Sequence, residues 1–357
     1  MNAKLTRTVL DDNRIWFTDH RYAALFSYDL EKGECELLTY LKSEDLLQND
    51  EMTVAARYGE KIVIVPVQGN EVMVYDLDKR TLRCYQINRK TEGVGYCNAV
   101  ITDRLLWITP CRERNIICFD MEKESVMYFG DADIPFNDEG EENFGYAVYA
   151  EHSIWMPCVF ANMVIEFDTD KRVFRKHTIE IDGCMCGVIC YCNEKFYILN
   201  IKNNSLVEWI PGGDAKELCE TPFPAGEREA TLKAHKYGED IIFMPRNTDG
   251  IWVFHSRYKK WRKIADKLLV SSLYEEAVIV GNKVYGFDLG EGIHFVWDHD
   301  TDEVEFFEIE YPKSVEWLLT GMNFSYRIKN NMPVTYLESE CGLSDYLMAL
   351  SKWRHES

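Results

Sequence analysis

The chain has 357 residues, of which 46% are apolar, enough for a packed core. Forty basic against sixty acidic side chains leave a formal charge of −20, a field that repels nucleic-acid backbones and anionic membrane surfaces. No apolar run approaches the roughly 18 residues of a membrane span, and the first ten residues hold no signal-peptide core, so the expectation is a cytoplasmic protein without membrane insertion whose twelve cysteines are thiols rather than a disulfide framework.

From the N-terminus onward the chain repeats one pattern seven times. A short apolar run is followed by a polar break, then by a second run that closes on an aromatic and usually an acid. The copies close at Tyr28-Asp29, Tyr75-Asp76, Phe119-Asp120, Phe167-Asp168, Trp209-Ile210, Phe254-His255 and Trp297-Asp298, with steps of 47, 44, 48, 42, 45 and 43 residues. A period near 45 built of short apolar runs and turns predicts an all-β, seven-bladed β-propeller of four-stranded antiparallel blades.

Within each copy the second strand is clearest: Ile15–Thr18, Ile62–Val65, Leu106–Thr109, Ile154–Met156, Phe196–Leu199, Ile241–Met244 and Val284–Phe287. These runs are apolar on both faces, as the middle strands of stacked blades must be. The third strand ends at the closing acid, and a tight polar turn such as Asp29-Leu30-Glu31-Lys32-Gly33 leads to an alternating fourth, edge strand. A first strand precedes each second one, for example Thr53 to Tyr58, Tyr146 to Ala150, Gly187 to Cys192 and Glu276 to Val280. Residues 1–310 form the propeller on this reading. Residues 311–357 belong to the same domain, as a ring-closing segment and a short amphipathic helix with its apolar stripe at Leu343, Tyr346, Leu347, Leu350 and Trp353. The stretches Phe324–Ile328 and Val334–Leu337 leave a degenerate eighth blade as the alternative.

Arg14-Ile15-Trp16-Phe17-Thr18-Asp19 is similar to a strand that recurs in virginiamycin B lyase-like proteins. The repeats, across about residues 5 to 310, resemble bacterial propellers of the virginiamycin B lyase-like, gluconolactonase-like and kelch-like kinds. That resemblance implies the fold. The lyases use histidines and a glutamate around a metal on one face, but no matching His/Glu pairing stands in the loops here, and His294 falls inside a predicted strand beside Glu291. No family residue is carried over.

Loops joining second to third strands, and those joining blades, gather on one face of a propeller, where function usually sits. The candidate ligand-binding residues on that face are Asp19, Arg21, Gln68, Tyr96, Arg112, Arg114, Tyr146, Asn162, Lys202, Arg246 and Asp288. The cations among them suit a carboxylate, phosphate or acidic sugar. His20 beside Asp19 is the single weak candidate for catalysis. Asp298-His299-Asp300-Thr301-Asp302 mimics the opening of a calcium loop but falls where every other copy has the turn between its third and fourth strands, and the acidic stretch 131–143 lacks a calcium-loop spacing. Cys184, Cys186, Cys190 and Cys192 share parity on one predicted strand, which cannot wrap a tetrahedral metal and reads as buried filler. No cofactor and no metal site is expected. The function expected is a non-catalytic binding module holding a glycan, a small acidic ligand or a protein on the loop face. The alternative is a metal-assisted lyase or lactone hydrolase acting in the central funnel.

Overall fold

Each copy of the repeat folds into one blade. The computed structural model describes residues 2–11, 13–19, 24–41, 52–67, 69–87, 95–130, 143–223, 231–246, 250–265 and 273–312. They form seven antiparallel sheets of four strands, numbered β1 to β28 in chain order. Blade 1 comprises β1 (Leu5–Asp11), β2 (Arg14–Asp19), β3 (Ala24–Asp29) and β4 (Glu34–Tyr40). The later blades occupy residues 52–86, 96–130, 148–178, 186–220, 231–265 and 274–308. Every sheet runs in sequence order from its first strand to its fourth.

The first strands form the inner ring: β1, β5 (Met52–Tyr58), β9 (Tyr96–Thr102), β13 (Val148–Ala150), β17 (Cys186–Cys192), β21 (Thr231–Tyr237) and β25 (Tyr274–Val280). Of these, β1 abuts both β5 and β25, and β17 abuts β21. The apolar second and third strands pack blade on blade, as in the cluster of Val63, Val65, Val72 and Val74 with Leu106, Ile108, Ile117 and Phe119. The predicted eighth unit (Phe324–Ile328, Val334–Leu337) and the predicted helix over 343–353 lie outside the described residues.

The closing acid of each repeat is explained by the turn it starts. Asp29, Asp76, Asp120, Asp168 and Asp298 each accept backbone N–H groups two or three residues ahead through Oδ1, an Asx turn. The turn ends on a left-handed residue four positions beyond that acid: Gly33, Arg80, Glu124, Arg172 and Asp302, with φ between 51° and 67°. Lys259 (φ 54°) holds the same place in blade 6, four residues after His255.

Where this residue has a side chain, it reaches back onto the preceding blade. Arg80 bonds Glu36 at 3.3 Å. Glu124 accepts from Arg83 at 2.6 Å and pairs with Lys61 at 2.7 Å. Arg172 lies over the Phe129 ring at 5.4 Å. Lys259 donates to Glu208 and to the Tyr197 hydroxyl, and Asp302 accepts from Arg262.

Among the described residues the ring closes without strand exchange. The Ala3 amide donates to the Ile309 carbonyl at 2.8 Å, and Asn2 bridges Glu310. The Tyr311 hydroxyl donates to Asp19 while its ring packs on Phe26, 4.8 Å between centroids. Tyr311 thus straps blade 7 to blade 1, while residues 313–357 of the predicted closing segment lie outside the described residues.

The cysteine cluster corrects one expectation. Cys184 precedes β17, and the pairing of β17 with β18 (Lys195–Asn200) slips between Cys186 and Val188. That bulge at Gly187 reverses the parity. Cys186 packs with Cys184 toward blade 4, whereas Cys190 and Cys192 pack toward blade 6. All four are buried thiols.

Candidate functional site

The inner strands line the axis, and irregularities near their starts turn side chains into it. The ladder slips between Leu5 and Thr8 in β1, between Thr231 and Ala234 in β21, and between Tyr274 and Ala277 in β25. Arg7, Lys233 and Glu276 occupy the third position of these three strands, each just before the residue where regular pairing resumes. Bulges re-aim side chains in this way, often beside functional sites. Blades 6, 7 and 1 are neighbours in the ring, so one arc of the channel wall bears three charged groups at one height. That height lies just inside the face where blade-to-blade loops feed the inner strands.

Glu276 is the centre of the group. Its Oε2 lies 3.3 Å from Arg7 Nε, and its Oε1 accepts from Lys233 Nζ. The Arg7 guanidinium lies 5.2 Å from the centre of the Tyr146 ring, and Lys233 Nζ lies 5.8 Å from it. Tyr146 belongs to blade 4, across the ring from blades 7 and 1, so these contacts bridge the channel. Arg7 is 5% and Lys233 9% exposed.

Tyr146 is held by its surroundings. Asn98 of β9 donates Nδ2 to the carbonyl of Ala147 at 2.7 Å, and the Gly145 amide donates to the Pro157 carbonyl at 3.0 Å. A Cβ on Gly145 would stand 2.4 Å from the Gly187 carbonyl oxygen. Only glycine permits that approach of blades 4 and 5. The regular pairing of β13 begins at Val148 rather than at the expected Tyr146.

His235, two residues along β21 from Lys233, accepts the Ala277 amide at Nε2, 3.2 Å. The ring's proton therefore sits on Nδ1. The imidazole is half-buried. Burial first, and the positive field of Lys233 next, push its pKa down to about 3. Burial would by itself raise the Glu276 carboxyl, but the fields of Lys233 and Arg7 outweigh it and hold the group at about 2. At neutral pH the imidazole is uncharged and the glutamate ionised.

The residues expected from sequence fall into three groups. Tyr146 joins the channel cluster. Several others serve the scaffold. Asp19 and Asp288 end the second strands of blades 1 and 7, and each accepts a backbone N–H from fifteen residues earlier, Lys4 and Leu273, as Asn200, which was not among the expected residues, does from Met185 in blade 5. Asp288 is fully buried and also accepts from Gly290, Glu291, Gly292 and Ile293. The other four blades carry Pro66, Pro110, Pro157 and Pro245 at that place. Tyr96 is buried between blades 2 and 3, and Asn162 donates to the Ile179 carbonyl at 3.1 Å.

The cations form the third group. Arg112, half-buried, and Arg114, exposed, stand on the blade 3 loop, where the Cys111, Arg112 and Glu113 amides converge on the Gly95 carbonyl. Lys202 is exposed on blade 5, and Arg246 bridges Leu273 where blade 6 leads to blade 7. Arg21, Gln68 and His20 lie outside the described residues. His294 is buried in a strand, as expected, and its Nδ1 accepts the Asp288 amide. Among the described residues no three of His, Cys, Asp or Glu group so as to hold a metal ion.

Sequence reasoning on loops missed Arg7, Lys233, His235 and Glu276. The available signal was polar residues at one place in three first strands, in Leu5-Thr6-Arg7, Thr231-Leu232-Lys233 and Tyr274-Glu275-Glu276.

No family model matches the chain, and no curated protein sequence does. Solved structures similar to it include virginiamycin B lyase from Staphylococcus aureus, with TM-score 0.63 and 11% identity over 82% of this chain and 95% of that one. A streptogramin B lyase gives TM-score 0.64 and 10% identity over 81% and 92%. BamB from Moraxella catarrhalis gives 0.57 and 12% over 87% and 86%. At such identities the likeness shows the propeller fold, which hosts unrelated functions.

Proposed function

We propose that this propeller is a non-catalytic binding module that holds a small anionic ligand, such as an acidic sugar or another carboxylate, in the mouth of its channel. The observation that carries this reading is the convergence of Arg7 and Lys233 on Tyr146 across the axis. A guanidinium and an ammonium donate charge-assisted hydrogen bonds to oxyanions. Both are largely shielded from water, which strengthens such bonds. The aromatic ring offers a face to the apolar side of a sugar or acid. Arg112, Arg114, Lys202 and Arg246 belong to the same reading as cations of the loop face above the mouth.

The test is a thermal-shift screen of carboxylated sugars and phosphate esters, with and without divalent ions, since a ligand of the folded state raises the melting temperature by mass action. Hits should be anionic and should disappear in Arg7→Ala and Lys233→Ala. Hits indifferent to both variants would refute the site. A hit that needs a divalent ion and is consumed would favour the lyase or hydrolase alternative.

A further inference from the structure

One turn of the repeat inverts the charge of its counterparts. The turns between third and fourth strands lie on the face opposite the blade-to-blade loops. In blades 1, 2, 3, 4 and 7 this turn opens on an aspartate and carries an acid two positions later: Glu31, Asp78, Glu122, Asp170 and Asp300. In blade 6 it opens on His255, the second position is Arg257 and the third is Tyr258. The backbone is the same. The Lys259 amide donates to the His255 carbonyl at 2.9 Å, as the Gly33, Arg172 and Asp302 amides do to their opening aspartates. The exchange therefore alters what the turn presents and leaves its shape intact.

The side chains are held in place. His255 Nδ1 accepts the Tyr258 amide at 3.4 Å, and the two rings pack 4.4 Å apart. Tyr258 is nevertheless 64% exposed, the most of any large apolar side chain among the described residues. The Arg257 guanidinium lies 6.0 Å from the centre of that ring and no nearer than 3.9 Å to Glu239, its only ion-pair partner among the described residues. The Ser256 amide and hydroxyl both donate to the Glu239 carbonyl, which ties this turn to the one between the first two strands of the blade. Lys236, beside that first turn, and Lys260 are exposed and form no ion pair among the described residues. Lys259 turns away to Glu208 of blade 5.

We propose that this turn of blade 6 is a docking point for an acidic peptide segment of a partner protein. A guanidinium binds a carboxylate through two parallel N–H groups, and clustered cations are a recurring way to read acidic motifs. The Tyr258 ring takes the methylene stem of the acid that Arg257 holds, while Lys236 and Lys260 meet acids before and after it. A formal charge of −20 repels acidic chains in general, so only a local reversal of sign admits one. Solvation does not require the reversal, since the sister turns are solvated by acids at the same position.

Hexaglutamate carrying fluorescein at its N-terminus is the probe, and binding is read from its anisotropy at pH 7 in low salt. The wild type should bind it, and raising the ionic strength to about 0.3 M should weaken binding about tenfold or more. Arg257→Glu should lower the affinity about tenfold or more and Tyr258→Ala about threefold. Lys123→Glu makes the same change of charge in the turn of blade 3 and should alter it less than about twofold. Equal melting temperatures check that the variants fold, and Arg257→Gln replaces Arg257→Glu if that variant does not. No binding by the wild type overturns the proposal. Equal losses in Arg257→Glu and Lys123→Glu also overturn it, because net charge alone would then govern binding. Displacement of the probe by an equimolar amount of inorganic phosphate overturns the peptide in favour of a simple anion. Self-association that Arg257→Glu abolishes, without probe binding, overturns the partner protein in favour of a second copy of this chain.

Discussion

Replacing Glu276 by glutamine should destabilise the protein in a way that depends on pH. In the folded state the carboxyl is held at about 2, against an ordinary value of 4.5. A difference of that size corresponds to roughly 3 kcal/mol of stability when the group is ionised in both states. Because the folded value is the lower one, this contribution is complete above about pH 5. It fades as pH falls through the interval between the two values and is nearly gone at about pH 2. A second estimate agrees: breaking a buried ion pair by removing one member costs about 3–5 kcal/mol, and Glu276 pairs with both Arg7 and Lys233. The assay is urea unfolding of wild type and Glu276→Gln at several pH values, followed by tryptophan fluorescence. The gap in unfolding free energy should be widest at pH 7, with a melting temperature lower by roughly 5 °C, and should narrow steadily below pH 5. A gap that stays constant from pH 7 to pH 3 would refute the coupling of Glu276 to the two cations.

Asp288→Ala removes the acceptor of five backbone N–H groups at a fully buried site. It should cost about 2–4 kcal/mol, read as a lower urea midpoint at unchanged slope. Gly145→Ala forces a Cβ to within 2.4 Å of the Gly187 carbonyl. It should lower the melting temperature and move the Arg7 Nε–H signal as Tyr146 shifts, whereas an unmoved signal would show that the ring is not positioned from this glycine. Tyr311→Phe removes the hydroxyl that donates to Asp19. A loss of about 1 kcal/mol is expected, with faster amide exchange at Ala3 as the local readout.

Those features that depend on neighbours in sequence were legible in advance. The closing acids recur because an Asx turn needs its side chain two or three residues from the amides it caps, so the repeat displays them. The second strands are apolar on both faces because blades cover both. Asp19 and Asp288 looked like loop-face acids because nothing local shows that their partners lie fifteen residues upstream. The channel cluster was hidden for a stronger reason. Arg7 and Tyr146 meet only after the ring brings blades 1 and 4 to opposite sides of one axis. The bulges that turn Arg7, Lys233 and Glu276 inward also break the alternation by which strand faces are read.

The side chains that reach backward from the left-handed turn positions give the disc an uneven response to salt. Five joints between blades carry such a reach, and four of these use ion pairs: Arg80 with Glu36, Glu124 with Arg83, Lys259 with Glu208 and Asp302 with Arg262. Blade 1 has Gly33 at this place, and blade 5 has Gly212 and Gly213. The 7–1 joint has instead the Ala3 and Tyr311 strap and the Arg7–Glu276 pair inside the channel, and the 4–5 joint has Trp155 against Phe196 and Trp209. Ionic strength screens exposed charge pairs and leaves apolar contacts intact. Salt therefore loosens the four joints held by ion pairs at their rims more than the aromatic joint between blades 4 and 5, so the disc does not soften evenly around its circumference.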